Sequence, residues 1–196
     1  VVRLLDKGCV QGFEYYTMEE LPGPTAATLV RGTGGLEPRL ALSLTLDIAQ
    51  ALGYLHGLGV IHRDVKPANI VLHKDGRAVL VDFGLAHRPE DPRLTRGTVF
   101  VGTRGYVPME EAQGAPPSPS RDVFSIGVTL YILLTENRPQ LGSKDPVPLL
   151  AQKPELPPSL MRLLLHTLES DPEHRPTIFG VVRSLKQAIK SLGGAT

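Results

Sequence analysis

The chain has 196 residues, 41% hydrophobic and 21% charged, with a formal net charge of +1 at pH 7. That balance reads as one soluble globular domain with enough chain for a core. It excludes bulk electrostatic attraction to nucleic acid or a membrane surface, so any phosphate chemistry must come from a local site.

The single cysteine, Cys9, excludes an internal disulfide and fits a reducing, cytoplasmic setting. No apolar run approaches the roughly 18 residues of a membrane span, and nothing at the start reads as a signal peptide. The chain begins at Val1, inside an apolar run, which predicts a piece of a longer protein.

In chain order, Val1–Leu5 and Phe13–Met18 read as short β runs about a Gly-containing turn, a hairpin candidate. The Gly- and Pro-rich stretch that follows is connection, with a short helical turn at Thr25–Val30. Pro38–Leu58 is helical: Pro38 suits the first turn, and Ala41, Leu44, Ile48, Leu52 and Leu55 share one face. Ile70–Leu72 and Ala78–Val81 flank HKDG and predict a second small hairpin. Asp82–Ser120 has no strong periodicity and is rich in Gly, Pro and Thr, a long irregular stretch of the kind that carries function.

RDVFSIGVTLYILLTE, from Arg121 to Glu136, is apolar nearly all round, as in a helix buried at a domain centre. Leu160, Leu164 and Leu168 repeat on one face of the next segment. The last helix runs from Thr177, an N-cap, to Leu192. Its inner stripe is Ile178, Val181, Leu185 and Ile189, and Gly193–Gly194 stop it. The balance is an α+β chain, a mostly helical body carrying two small hairpins.

The densest chemistry lies in VIHRDVKPANIVLHKDG, Val60 to Gly76. Charged groups at a core edge are costly to desolvate unless paired, so these residues are either solvated turn residues or converge on something charged. Asp64 can accept a proton from a hydroxyl nucleophile or orient it. Asn69 can coordinate a hard cation through its amide oxygen, and Lys66 is a mobile point charge suited to a phosphate oxygen. Downstream, Asp82 of VDFGLA follows an apolar strand. Asn69 and Asp82, brought together from neighbouring hairpin ends, make a minimal Mg²⁺ site, because Mg²⁺ takes few protein oxygens and completes its shell with phosphates and water.

HRDVKPANI followed by DFG resembles the catalytic loop and metal-binding motif of eukaryotic-type Ser/Thr protein kinases. GTRGYVPME (Gly102–Glu110), SRDVFSIGV and DPEHRPT resemble that family's activation-segment end, central buried helix and the turn before its last helix. FEYYTMEELPG more loosely resembles the strand and hinge joining its two lobes. The bacterial members are the ones whose style it most resembles.

The resemblance implies a protein-kinase-like fold, with residues 1–24 as part of the small lobe and 25–196 as the helical C-lobe. It implies ATP and Mg²⁺ as cofactors and proteins with Ser/Thr acceptors as partners. Asp64 would be the catalytic base, with Lys66 near the transferred phosphate and marking Ser/Thr specificity. Asn69 and Asp82 would hold the metal, and Thr103 would support the catalytic loop. Met18 would be the gatekeeper, Glu19 and Leu21 would offer backbone groups to the adenine edge, and Val71 would pack under the ring. Val71 and Leu4 are also expected as ordinary core residues.

By the same resemblance His62 stacks near Phe83, Asp122 anchors the catalytic loop, and Glu110 pairs with Arg175. Arg63 would pair with a phosphorylated Thr98, or less favourably Thr95, with His87 or Arg88 joining the pocket.

Departures from the pattern are VPME for the usual APE ending and Phe124 for a Trp. The glycine-rich phosphate loop, the strand Lys and the helix Glu of the family are not found in the chain. Residues 1–196 alone are therefore expected to bind ATP poorly and to transfer phosphate slowly. Two alternatives remain at this level: a catalytically silent module that binds partners, and a small-molecule phosphotransferase.

Overall fold

The computed structural model describes residues 1–83, 85–86, 103–143, 145, 147–148, 153 and 155–193. The architecture is α+β. Strand β1 (Leu4–Val10) pairs antiparallel with β2 (Phe13–Met18), and further on β3 (Ile70–Leu72) pairs antiparallel with β4 (Ala78–Leu80). The helices are α1 (Ala26–Val30), α2 (Pro38–Gly57), α3 (Met109–Ala112), α4 (Pro119–Thr135), α5 (Pro158–Thr167) and α6 (Ile178–Gly193).

The first hairpin departs from expectation in register. β1 starts at Leu4 and ends at Val10, not at Leu5, because the turn is Gln11-Gly12, with both residues at positive φ (52° and 84°). That is the backbone a two-residue hairpin turn requires. Val10 then faces Phe13, and Leu4 faces Met18. Leu4, expected in the core, is 52% exposed. Its hairpin carries exposed apolar side chains, Leu5, Val10 and Phe13 among them, so no alternation of burial marks either face.

The strand entry and the segment after β2 tie this hairpin to the body. Val2 N–H donates to the Leu80 carbonyl (3.1 Å), and Leu72 N–H donates to the Pro24 carbonyl (2.9 Å). Gly23 allows that approach, since a Cβ there would overlap the Leu72 carbonyl oxygen.

α4 is the axis of the body. Every residue from Arg121 to Thr135 is buried, as its all-round apolar sequence predicts. α2 packs on α4 and α6, with Ala41, Leu44, Ile48, Leu52 and Leu55 all buried in the common core. Each fully buried Leu or Ile contributes about 1.5–3 kcal/mol. α6 closes the far side with Ile178, Val181 and Leu185, but Ala188 is the buried fourth position and Ile189 is only partly covered. α6 ends at Gly193, and Gly194 lies outside the described residues. Among the described residues of the irregular 82–120 stretch, one short helix, α3, begins after Pro108, and α4 begins at Pro119.

Candidate active site

The loop between α2 and β3 is held at both ends by buried apolar anchors, Ile61 and Val65, with His62, Arg63 and Asp64 between them. Arg63 adopts φ 70°, a left-handed conformation that costs a non-Gly residue free energy unless its surroundings impose it. They do. Asp122, fully buried near the start of α4, accepts the His62 N–H on Oδ2 and the Arg63 N–H on Oδ1, each at 2.9 Å. The His56 Nε2 also lies 2.9 Å from Asp122 Oδ2. The neighbouring Arg121 donates from Nη2 to the Arg63 carbonyl at 2.7 Å.

Adjacent residues of one rigid helix thus clamp both sides of the strained residue. Asp122→Asn should leave one of the two backbone N–H groups facing an amide NH₂. Its expected cost is about 1–3 kcal/mol, read as a lower denaturant midpoint at unchanged slope.

The clamp turns Asp64 toward a cluster of donors. Lys66 Nζ lies 2.6 Å from Asp64 Oδ2 and 2.7 Å from Thr103 Oγ1. Thr103 donates its hydroxyl to Asp64 Oδ1 at 2.7 Å. The Asn69 amide donates to Asp64 Oδ2 and to the Asp64 carbonyl, both at 2.9 Å. Burial pushes the Asp64 carboxyl upward, but the hydrogen bonds from Lys66, Thr103 and Asn69, with the Lys66 charge, outweigh it and hold the group below its ordinary range. Burial pushes the His62 imidazole down from its ordinary range, against the pull of Asp122 and other nearby carboxylates. Its Nδ1 accepts the Asp64 N–H at 3.4 Å, and its ring meets Phe83 edge-on, with centroids 4.9 Å apart.

Because both amide hydrogens of Asn69 are directed at Asp64, its Oδ1 is the atom turned outward. Asn69 immediately precedes β3, and its carbonyl accepts the Val81 N–H at 2.9 Å. That bond sets Asp82, an exposed carboxylate at φ 64°, beside it at the same hairpin end. An amide oxygen and a carboxylate are hard donors of the kind Mg²⁺ takes, and they leave most of its shell to phosphate and water. The donor set fits the ion.

On the hinge side, Glu19 N–H donates to the Arg3 carbonyl at 3.0 Å while Glu19 Oε1 accepts the Arg3 N–H at 2.8 Å. The Glu19 N–H is therefore engaged, and its carbonyl is the group left to offer. Met18, ending β2, is 43% exposed. Leu21 follows on the way to Pro24 and Thr25, whose backbones meet Leu72 and Val71. Val71 itself is buried. A hollow of about 820 Å³ opens between the first hairpin and Phe83, lined by Lys7, Tyr15 and Tyr16 among others.

Glu110 and Arg175 form the expected pair, bidentate at 2.6 and 3.0 Å. Arg175 also donates to the Glu169 carbonyl (2.8 Å) and the Ser120 hydroxyl (3.1 Å), and its guanidinium lies 5.0 Å from the Phe124 ring centroid. Phe124 thus serves as a stacking face where a Trp was expected.

Sequence reasoning missed a second pair, Glu111 with Arg121, both buried and hydrogen-bonded side chain to side chain. Burial pushes the Glu111 carboxyl up, against the pull of Arg121 and Arg63. The available signal was an Arg inside an otherwise apolar helix, since such a residue needs a carboxylate in reach. Thr95, Thr98, His87, Arg88 and Gly102 lie outside the described residues.

The match to known sequences is extensive. The family described as Protein kinase domain matches residues 1–187. The chain is 36% identical over 187 residues to the serine/threonine-protein kinase PkaA of Streptomyces coelicolor, covering 90% of this chain and 34% of that protein. It is 34% identical over 174 residues to the serine/threonine-protein kinase PknB of Mycolicibacterium smegmatis (82% of this chain, 28% of that one). Its identity to PknB of Mycobacterium tuberculosis strain H37Rv is 33% over 174 residues, with the same coverage. The chain therefore spans about a third or less of the length of these curated relatives.

Proposed function

The chain belongs to the protein kinase domain family, and from that premise we propose that it is the catalytic lobe of an enzyme transferring the ATP γ-phosphoryl group to Ser/Thr hydroxyls of proteins. The observation that carries the reading is the convergence of Lys66, Thr103 and Asn69 on one ionised carboxylate, Asp64.

Each donor there has capacity left. Asp64 Oδ2 accepts from both Lys66 and Asn69, while Oδ1 accepts from Thr103 and keeps one lone-pair direction for an acceptor hydroxyl. The Lys66 ammonium directs hydrogens at Asp64 and Thr103 and keeps a third for a phosphate oxygen. In the reaction the acceptor oxygen bonds to the γ-phosphorus, the bond to the bridging oxygen breaks, and Asp64 orients the hydroxyl and takes its proton. Asn69 Oδ1 and the Asp82 carboxylate would hold Mg²⁺, which when bound neutralises charge on the phosphate oxygens. The Glu19 carbonyl and Leu21 N–H would meet the adenine edge, with Met18 beside them and Val71 beneath.

Among the described residues no helix is long and apolar enough to cross a membrane. The free, exposed Cys9 supports a reducing cytoplasmic setting.

A labelled-phosphate assay on the full-length protein, offered protein and small-molecule acceptors, tests the reading. Label is expected on protein Ser/Thr, and label on small molecules alone, or none anywhere, overturns it. Asp82→Asn should raise the Mg²⁺ concentration needed for half-maximal transfer. An unchanged requirement removes Asp82 from the metal site.

A further inference from the structure

A second hollow of about 420 Å³ borders the same cluster, and Lys66 and Thr103 line it. We propose that it selects the acceptor segment, taking an aliphatic side chain close to the acceptor residue and rejecting a basic one. This deepens the phosphotransfer reading and rests on it.

Position is the first argument. Lys66 and Thr103 each touch an Asp64 carboxylate oxygen, at 2.6 and 2.7 Å, and both form part of the hollow's wall. An extended chain advances only about 3.3–3.6 Å per residue. A segment whose hydroxyl reaches Asp64 therefore sets its neighbouring side chains at the mouth of this hollow.

The lining is the second. Ala27 and Val30 of α1, Ala68 of the catalytic loop and Ile132 of α4 supply apolar surface. Val30 and Ile132 belong to the buried core, so this part of the wall is fixed by packing. An aliphatic side chain entering here strips no hydrogen bond from the protein.

Charge is the third. Arg31 and Arg138 stand at the edge, both exposed. Arg138 is held by its donation to the Arg104 carbonyl (2.8 Å) and lies 4.9 Å from the Tyr106 ring centroid. Among the described residues the lining holds one carboxylate, Glu136, and it is tied to the backbone of the segment after α1. Its two oxygens accept the N–H groups of Gly32 (2.5 Å) and Gly34 (2.8 Å), bonds that also lower its carboxyl. A Lys or Arg from the acceptor would meet two guanidinium groups against a single carboxylate, each of whose oxygens already accepts one backbone N–H.

The test uses the 196-residue chain and pairs of peptides identical but for Leu or Lys at one position flanking the acceptor, moved through the flanking positions in turn. Ala replaces the acceptor Ser, so that binding is read without transfer. Methyl NMR signals of Ala27, Val30, Ala68 and Ile132 should shift with the Leu peptide at one position, and that peptide should bind at least about tenfold more tightly than its Lys twin. Arg138→Glu should narrow or reverse the difference. Equal binding at every position, tighter Lys binding, shifts confined to other residues, or no binding of either peptide overturns the proposal.

A peptide library offered to the full-length protein separates the two readings. Labelling without the Leu-over-Lys bias defeats the selectivity alone, and the binding bias without labelling defeats phosphotransfer alone.

Discussion

Asp64→Asn is expected to lower phosphoryl transfer by the full-length protein roughly 10²–10⁴-fold with little change in nucleotide affinity. The carboxylate collects the Lys66, Thr103 and Asn69 hydrogen bonds and keeps a single open acceptor direction. An amide in its place must turn an NH₂ toward one of those donors. Because Asp64 is held below its ordinary range by these bonds against the opposing effect of burial, its ionisation is complete well below neutral pH. The wild-type rate should therefore show no acid limb from this group between pH 6 and 8, a window safely above the carboxylate range of about 4.

The same depression fixes the sign for stability. The contribution of ionised Asp64 is present above its unfolded value and disappears as pH falls through the folded one. Steady-state kinetics with separate kcat and KM decide the first claim. A kcat within about fivefold of wild type would contradict the base assignment.

How much of this was legible in the sequence follows from how local each contact is. Asp64, Lys66 and Asn69 lie in one turn, so their chemistry could be read directly. Asp82 follows from the short β3–β4 ladder, whose register an HKDG turn makes readable. The Glu110–Arg175 pair has no local signal and was reached only through resemblance to the kinase family. Glu111, Arg121 and His56 were missed because their partners come from packing α2 and α3 against the start of α4, which a linear pattern does not encode.

Glu136 was missed for a different reason. It ends α4 in the left-handed conformation, φ 60°, where Gly or Asn is the usual choice. What stabilises it there is a carboxylate bridge to Gly32 and Gly34, distant in sequence. The β1 boundary was misplaced because Gln11 does not announce the positive φ that the turn needs.

Arg175→Met should destabilise the chain by about 3–5 kcal/mol, since it removes one partner of a largely buried pair and strands the other. At about 2–4 °C per kcal/mol for a chain of this size, the melting point should fall by roughly 6–20 °C. Arg175 has 1% of its side chain exposed against 21% for Glu110, so the arginine carries most of the desolvation and most of the consequence. Its other bonds, to the Glu169 and Ser170 carbonyls and to Ser120, join the turn before α6 to the start of α4.

Glu110→Gln keeps an acceptor for the guanidinium and should cost less. The double variant should be more stable than the sum of the single losses predicts, because the carboxylate left stranded by Arg175→Met is then absent. Thermal melts of the three variants decide it, and strict additivity, or a loss under 1 kcal/mol for Arg175→Met, would show that the pair does not anchor the fold. The functional consequence follows from position. Glu110 lies on α3, a few residues beyond Thr103, and Thr103 is hydrogen-bonded to Asp64. Loosening the pair should therefore lower transfer more than peptide binding, because the apolar wall of the 420 Å³ hollow comes from Ala27 and Val30 of α1 and Ile132 near the end of α4, whereas the Arg175 contacts reach α4 only near its start, at Ser120 and Phe124.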